Sequence, residues 1–314
     1  PTDDFPTLIN AIEMLSATDF SLRAAALVEE IARTRPLVVG LQEMSRLEVD
    51  LTPLGMQLQV LVDFEPILYA ALAARGLDYV EAAEVTNIDM EVLPGPGIIS
   101  MRDKDVILVR GDADLVAAGG KTFDYCLAPF PLCPNTFPYP LPIQRGYVWA
   151  KVNVAGIIWT SVSAHPESGA AEDQSALRSL HVGELVTTFS TVDAPVVLMG
   201  DFNDRATPDP WSTPDAYDII TEAGYTDFWL AKHPGAAGLT CCFSPDLSND
   251  PGDFYERIDF VFVRGILKHD LGSIQILGTR PSNQIDGPAY PIWRSDHAGL
   301  GAVFLVPTGK GLAD

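Results

Sequence analysis

Apolar positions along this chain alternate between a helical and an extended period. Phe20, Ala24, Leu27, Val28 and Ile31 recur at helical spacing, and Thr18 or Asp19 just ahead of them can cap a first turn. The helix is predicted to run to about Arg33, and Arg35-Pro36 stops it because a residue before proline is steered out of the helical region. Leu37–Leu41 then reads as a buried strand ending in Gln42 and Glu43. A second helix is predicted over Pro66–Arg75, closed by Gly76, and strands over Asp78–Val85 and Asp105–Arg110. Gly146–Val154 and Ile157–Ala164 form a predicted hairpin turning near Ala155-Gly156. Helical Ala170–Phe189 leads into a Pro195–Met199 strand, and Arg257–Val263, Ser273–Leu277 and Ala298–Val306 follow as strands. Hairpins mixed with strand–helix–strand crossings imply a mixed sheet, or two packed sheets with helices outside.

The chain has 314 residues, 47% of them hydrophobic, enough for a substantial core. Its 25 prolines and 25 glycines are scattered between periodic segments, so one domain over 1–314 with long surface loops is expected. No apolar run is long enough to span a bilayer, and no integral membrane segment is expected. Charge is lopsided: 20 Lys and Arg oppose 42 Asp and Glu, a net charge of −22. Tight non-specific binding to nucleic acid is therefore not expected, because phosphate backbones are gripped by clustered cations and the basic residues here stand singly. An acidic, lysine-poor composition fits an exported protein, periplasmic or secreted, in which a Cys126–Cys133 disulfide would staple the proline-rich loop between them. Adjacent Cys241 and Cys242 leave their pairing open, and no Cys or His pair stands at zinc-ligand spacing.

The chemistry gathers at strand ends. In Pro195–Asp204 an apolar strand ends at Gly200 and delivers Asp201 and Asn203, two residues apart and so on one face of an extended chain. Such a pair in isolation reads as an Asx turn, but it also suits hard-cation and phosphate chemistry, one side chain supplying charge and the other an amide donor. Gln42-Glu43, His165, Asp259 and Asp296-His297 occupy the same kind of place, the end of a predicted strand or the loop beyond it. Each has a duller alternative: Glu43 as a helix-capping acid, Asp259 as a partner of Arg257 or Arg294, His165 as a hydrogen-bonder in the loop before Pro166.

Taken in order, Gly40-Leu41-Gln42-Glu43, Ser163-Ala164-His165, Gly200-Asp201-Phe202-Asn203, Arg257-Ile258-Asp259-Phe260 and Ser295-Asp296-His297 resemble the endonuclease/exonuclease/phosphatase superfamily of metal-dependent phosphoesterases. The resemblance implies a four-layer α/β/β/α sandwich of two mixed, mainly antiparallel sheets flanked by helices. It implies hydrolysis of a P–O bond by water with Mg²⁺, or Mn²⁺ or Ca²⁺ in its place. By motif position Glu43 corresponds to the principal metal ligand and Asp296 to a further one. His297 corresponds to the base or phosphate-polarising group and Asp259 to the residue orienting it. His165 corresponds to the second histidine, and Asp201 and Asn203 to the pair that positions water and phosphoryl group. Arg145 and Tyr147 are expected substrate contacts. The family's first core strand, which ends in an asparagine, is expected to be absent from this chain as it begins, Pro1-Thr2-Asp3-Asp4, with Asn10 in a helix-like stretch; either that strand was cleaved, trimmed or left out, or the site lacks its amide.

The expected function is a Mg²⁺-dependent phosphodiesterase of nuclease type, acting on nucleic acid, a phospholipid head group or a small phosphoester. A sphingomyelinase-like or phospholipase C-like enzyme is the alternative, for which the aromatic stretch from Phe123 to Tyr139 would be the docking element. A binding module that has lost its chemistry is the alternative of another class.

Overall fold

The structure, a computed structural model, describes residues 14, 17–57, 59–92, 97–127, 135–137, 143–193, 195–206, 215–250 and 252–306. The elements in chain order are α1 (Phe20–Thr34), β1 (Val38–Leu41), β2 (Arg46–Asp50), β3 (Gln59–Asp63), α2 (Phe64–Ala74), β4 (Tyr79–Val92), β5 (Ile98–Arg110), β6 (Asp114–Thr122), β7 (Tyr125–Leu127), β8 (Asn135–Phe137), β9 (Gly146–Val154) and β10 (Ile157–His165). They continue with α3 (Glu172–Phe189), β11 (Val196–Asp201), α4 (Ala216–Glu222), β12 (Thr226–Asp227), α5 (Phe228–Lys232), β13 (Asp259–Arg264), β14 (Leu271–Leu277), β15 (Ile285–Asp286), β16 (Pro291–Ile292) and β17 (Gly299–Phe304).

Alternation along single strands builds the layers. In β5, Val106 and Leu108 point to α1 and α2, where they pack with Phe20, Ala24, Val28, Leu68 and Leu72. Their neighbours Ile107 and Val109 point the other way, onto Val148, Ala150 and Val152 of β9. The second sheet repeats this: Val162 of β10 and Leu198 of β11 meet Val182, Leu185 and Phe189 of α3, whereas Val197 of β11 joins Trp159 and Val261 on the opposite face. The order is helices, sheet, sheet, helices, the four-layer α/β/β/α sandwich. Each such aliphatic side chain, fully buried, contributes about 1.5–3 kcal/mol.

In the second sheet the strands run β12-β13-β11-β10-β9-β6. β9 and β10 form the expected hairpin, turning through Ala155 and Gly156, both at positive φ. α3 carries the chain back to β11, parallel to β10, and β13 pairs antiparallel with β11 so that Asp201 stands opposite Asp259. In the first sheet β5 pairs along one edge with β4 and along the other with β1 and β2, and β3 continues from β2. β14 and β17 form a separate antiparallel pair. Among the described residues the second edges of β1 and β17 are unpaired, and both strands line a cavity of about 640 Å³ that runs down to the carboxylates discussed below.

Asp19 caps α1 through Ser21 N–H, and Arg35 closes it in the left-handed region just before Pro36. β4 and β5 are much longer than their expected pieces, Asp78–Val85 and Asp105–Arg110. Their hidden halves are charged, and the charges are matched across the ladder, as where Arg102 donates to Asp89 at 3.0 Å. β2 and β3 were not expected either. Cys241 and Cys242 are bonded to each other. Cys126 is disulfide-bonded, while Cys133 and Asn10 lie outside the described residues, as does much of the Phe123–Tyr139 stretch. No helix among the described residues is long and apolar enough to cross a membrane.

Candidate active site

Four strands bring the polar residues to one end of the sandwich. β10 ends in His165 and β11 in Asp201, while β13 begins with Asp259 and one residue separates Asp296-His297 from the start of β17. Gly200 permits the approach: its φ is +133°, and a Cβ there would run into the carbonyl oxygen of Ala164 on β10. Asp201, 8% exposed, accepts the Asn203 N–H at 2.8 Å, which fixes Asn203 at φ +52° with its amide donating to the Pro166 carbonyl at 3.2 Å. The Asx turn is therefore present, and it is the device that places both side chains.

His297 is held through Nδ1, which donates to Asp259 Oδ2 at 3.0 Å. Asp259 is available because the basic residues that could have claimed it are engaged elsewhere, Arg257 with Asp227 at 2.7 Å and Arg294 with Glu30 at 2.6 Å. Its backbone N–H is tied to Thr240 Oγ1 at 3.2 Å. Burial opposes the charged imidazolium, but the Asp259 hydrogen bond and the charges of Asp259, Asp201 and Asp296 outweigh it and raise the His297 pKa to about 10. The same enclosure acts on Asp201 in the opposite sense: burial, then the neighbouring Asp259, push it up to about 6 against the pull of His165 and His297. The Nε2 edge of His297 faces Cys241 Sγ at 3.4 Å.

His165 is the last residue of β10 and is enclosed at 1% exposure, so it does not belong to the loop before Pro166. Its Nδ1 meets Asp105 Oδ1 at 3.3 Å and its Nε2 lies 3.9 Å from Asp201 Oδ2. Burial and the adjoining Arg145 oppose protonation, yet Asp105 and Asp201 prevail and raise its pKa. The Arg145 guanidinium lies 3.2 Å from Nε2 and reaches Ser168 Oγ at 3.2 Å. Its Nε is buried without a partner in this structure.

Glu43 follows β1 at φ +57°, with its N–H directed to Asp105 Oδ1 at 3.3 Å. It begins no helix, which removes the capping alternative. Its carboxylate is exposed and has no hydrogen bond or ion pair among the described residues. Asp296 accepts the Ser295 hydroxyl at 3.3 Å, and both acids line the large cavity together with Asp201 and Asp259. Carboxylates of this kind fit a hard divalent cation, which prefers oxygen ligands and tolerates bound water. Ligand atoms of Asp201, Asp259 and His297 also lie within 4.8 Å of one another. The hydrogen bond joining Asp259 to His297 engages the imidazole through Nδ1, while Glu43 and Asp296 line the same cavity.

Tyr147 is placed differently from the expectation. It is 2% exposed and packed against Phe123 and Phe189 in the core beneath α3, because at its position on β9 the side chain points to the helix layer. Asp105 escaped the sequence reading, since it looked like the first residue of a strand. The available signal was a carboxylate leading directly into the run Val106–Val109.

The model of the Endonuclease/Exonuclease/phosphatase family matches residues 12–297. Comparison with curated proteins found no match. Among solved structures, an endonuclease/exonuclease/phosphatase family protein from Leptotrichia buccalis is similar at 17% identity and a TM-score of 0.60, over 90% of this chain and 93% of that one. A humanized D. rerio TDP2 carrying 14 mutations is similar at 18% identity and a TM-score of 0.56, over 92% and 93%. D. rerio TDP2 complexed with single strand DNA product is similar at 16% identity and a TM-score of 0.55, over 94% and 96%. The chain belongs to the endonuclease/exonuclease/phosphatase family of metal-dependent phosphoesterases.

Proposed function

From membership in that family we propose that the chain is a Mg²⁺-dependent phosphodiesterase of nuclease type, exported, folded as one domain over 1–314, and cutting short or single-stranded nucleic acid. The observation that carries the reading is the set Asp259, His297, Asp201 and His165 lining one cavity with the Glu43 carboxylate. The TDP2 structure with a single-stranded DNA product makes nucleic acid the first substrate to test.

Glu43 and Asp296 would hold the cation, with Mn²⁺ or Ca²⁺ able to replace Mg²⁺ there. When bound, such an ion neutralises charge on the phosphoryl oxygens and steadies the leaving oxygen. Asp201, its pKa raised to about 6, orients the attacking water and accepts its proton, while the Asn203 side chain donates to the phosphoryl group. His297 is an imidazolium at neutral pH, locked by Asp259, and offers positive charge to a non-bridging oxygen. His165, backed by Asp105, is placed to donate to the phosphoryl group or the leaving oxygen. Arg145 supports that corner from beneath, and Arg23 lines the cavity beside Glu43 and Asp296.

The test is a hydrolysis panel of bis-p-nitrophenyl phosphate, single- and double-stranded DNA, RNA and sphingomyelin with Mg²⁺ or Mn²⁺. Hydrolysis of the oligonucleotides that chelation abolishes is expected, with rates at least a hundredfold lower in Glu43→Ala and His297→Ala. Cleavage of sphingomyelin alone would favour the lipid enzyme. No hydrolysis, with cation affinity unchanged in Glu43→Ala, would favour a binding module.

A further inference from the structure

Cys241 and Cys242 have no part in the reaction above, yet they sit at the working edge of His297. Cys241 Sγ is 3.4 Å from Nε2, and both sulfurs and the imidazole present ligand atoms within 4.8 Å of one another. The placement is built into the backbone. Ala298 N–H donates to Thr240 O at 2.7 Å and Phe243 N–H to Asp296 O at 2.9 Å, so the dicysteine is held in register with His297. On its other side Cys241 N–H donates to Glu256 O at 3.0 Å, and the Tyr255 and Glu256 N–H groups return to Cys241 O at 2.8 Å. Cys241 is buried and Cys242 is partly exposed, which gives a reductant access from one side.

The imidazole is prepared as a ligand as well. A carboxylate on the far nitrogen, here Asp259, fixes ring orientation and strengthens the near nitrogen in the manner of metal-binding histidines. A tetrahedral zinc with bonds of about 2.3 Å to sulfur and about 2.0 Å to nitrogen holds those two atoms about 3.5 Å apart. The observed separation is 3.4 Å.

We propose that reduction turns Cys241 and Cys242 into a soft-metal site with His297, selective for cations of the zinc class, and that its occupation withdraws His297 from phosphate chemistry. A dithiol supplies the two electrons: its thiols become a disulfide, the Cys241–Cys242 bond breaks, and each sulfur takes a proton. The incoming cation displaces both thiol protons, and any proton on Nε2, to solvent. It then bonds to two thiolates and Nε2 and leaves a fourth position for water or a neighbouring carboxylate. Thiolate ligands select against Mg²⁺, so the hard site on the carboxylate side and this one discriminate by ligand type.

Cobalt(II) reports the site without reference to hydrolysis, so failure of the phosphodiesterase reading leaves the outcome readable. The full chain is titrated with Co²⁺ after oxidation, and again after reduction by a phosphine, which ends as its oxide. The reduced protein is expected to develop sulfur-to-cobalt charge-transfer absorption that saturates at one equivalent and is displaced by Zn²⁺, and the oxidised protein is expected to show none. Cys241→Ser, Cys242→Ser and His297→Ala are each expected to weaken cobalt binding at least tenfold. Absence of the band in the reduced parent overturns the proposal. So does a band that survives Cys242→Ser at full strength or is indifferent to His297→Ala, which is also how thiols on an unfolded chain would behave.

Discussion

Asp105 places a fully buried carboxylate where two site residues need it, against His165 Nδ1 and the Glu43 N–H. It touches no part of a substrate, so it acts by positioning. Asp105→Asn keeps the shape but removes the charge that favours the His165 imidazolium, and a ten- to hundredfold fall in kcat with little change in KM is expected. Steady-state kinetics on an oligonucleotide check this, and the loss should shrink at lower pH, where solvent restores the proton to His165. Asp201 sets the opposite limb. As a base with a pKa of about 6 it works only when ionised, so kcat/KM should climb with pH through about 6 and then level, and Asp201→Asn should abolish the climb along with most activity. His297 bears on stability too. Its folded pKa, about 10, lies above the ordinary 6.5, so its contribution is complete below pH 6.5 and is lost as pH rises through 10. The melting temperature of the metal-free protein should fall across that window, and a His297→Gln variant should fall less.

At the scale of elements the close approach of paired β10 and β11 at Gly200 is the joint that sets site geometry. Gly200→Ala meets the Ala164 carbonyl and a φ of +133° together, the backbone conformation alone costing about 1–3 kcal/mol. The urea midpoint should drop at unchanged slope, and Asp201 and Asn203 should lose their aim, with catalysis falling beyond what lost stability explains. This joint was legible in the sequence because an apolar run ending in glycine and then Asp-x-Asn is local information. So were α1, with its cap and its proline stop, and the β9–β10 hairpin. What escaped depends on partners distant in sequence. The charged half of β5 looks unlike a strand until Asp89 is placed opposite Arg102. β6 hides behind Gly119 and Gly120, which are small because Trp149 and the Glu84 backbone press against them. Cys241 carries no signal of His297, since only hydrogen bonds between two distant loops bring them together.

For the whole molecule the question is how a chain of net charge −22 attracts a polyanion. Most of its cations answer to carboxylates already: Lys104 is paired with Glu65 and Glu84, Lys121 with Glu184, Arg257 with Asp227 and Arg294 with Glu30. Near the site, among the described residues, that leaves Arg23, which lines the cavity and donates to the Arg294 carbonyl, buried Arg145, His297 and whatever cation the carboxylates hold. A substrate would therefore be gripped at one or two phosphates around the scissile bond and repelled elsewhere, which favours short or unpaired strands over long duplexes. Counterion release from a single strand scales at about 0.7 per neutralised phosphate, so affinity should fall only about three- to sevenfold between 50 and 200 mM salt. Fluorescence anisotropy of a labelled single-stranded oligonucleotide on the His165→Ala variant with Ca²⁺ measures this. A hundredfold loss over that range would require five or more phosphate contacts, and hence a basic track that the paired lysines and arginines do not supply.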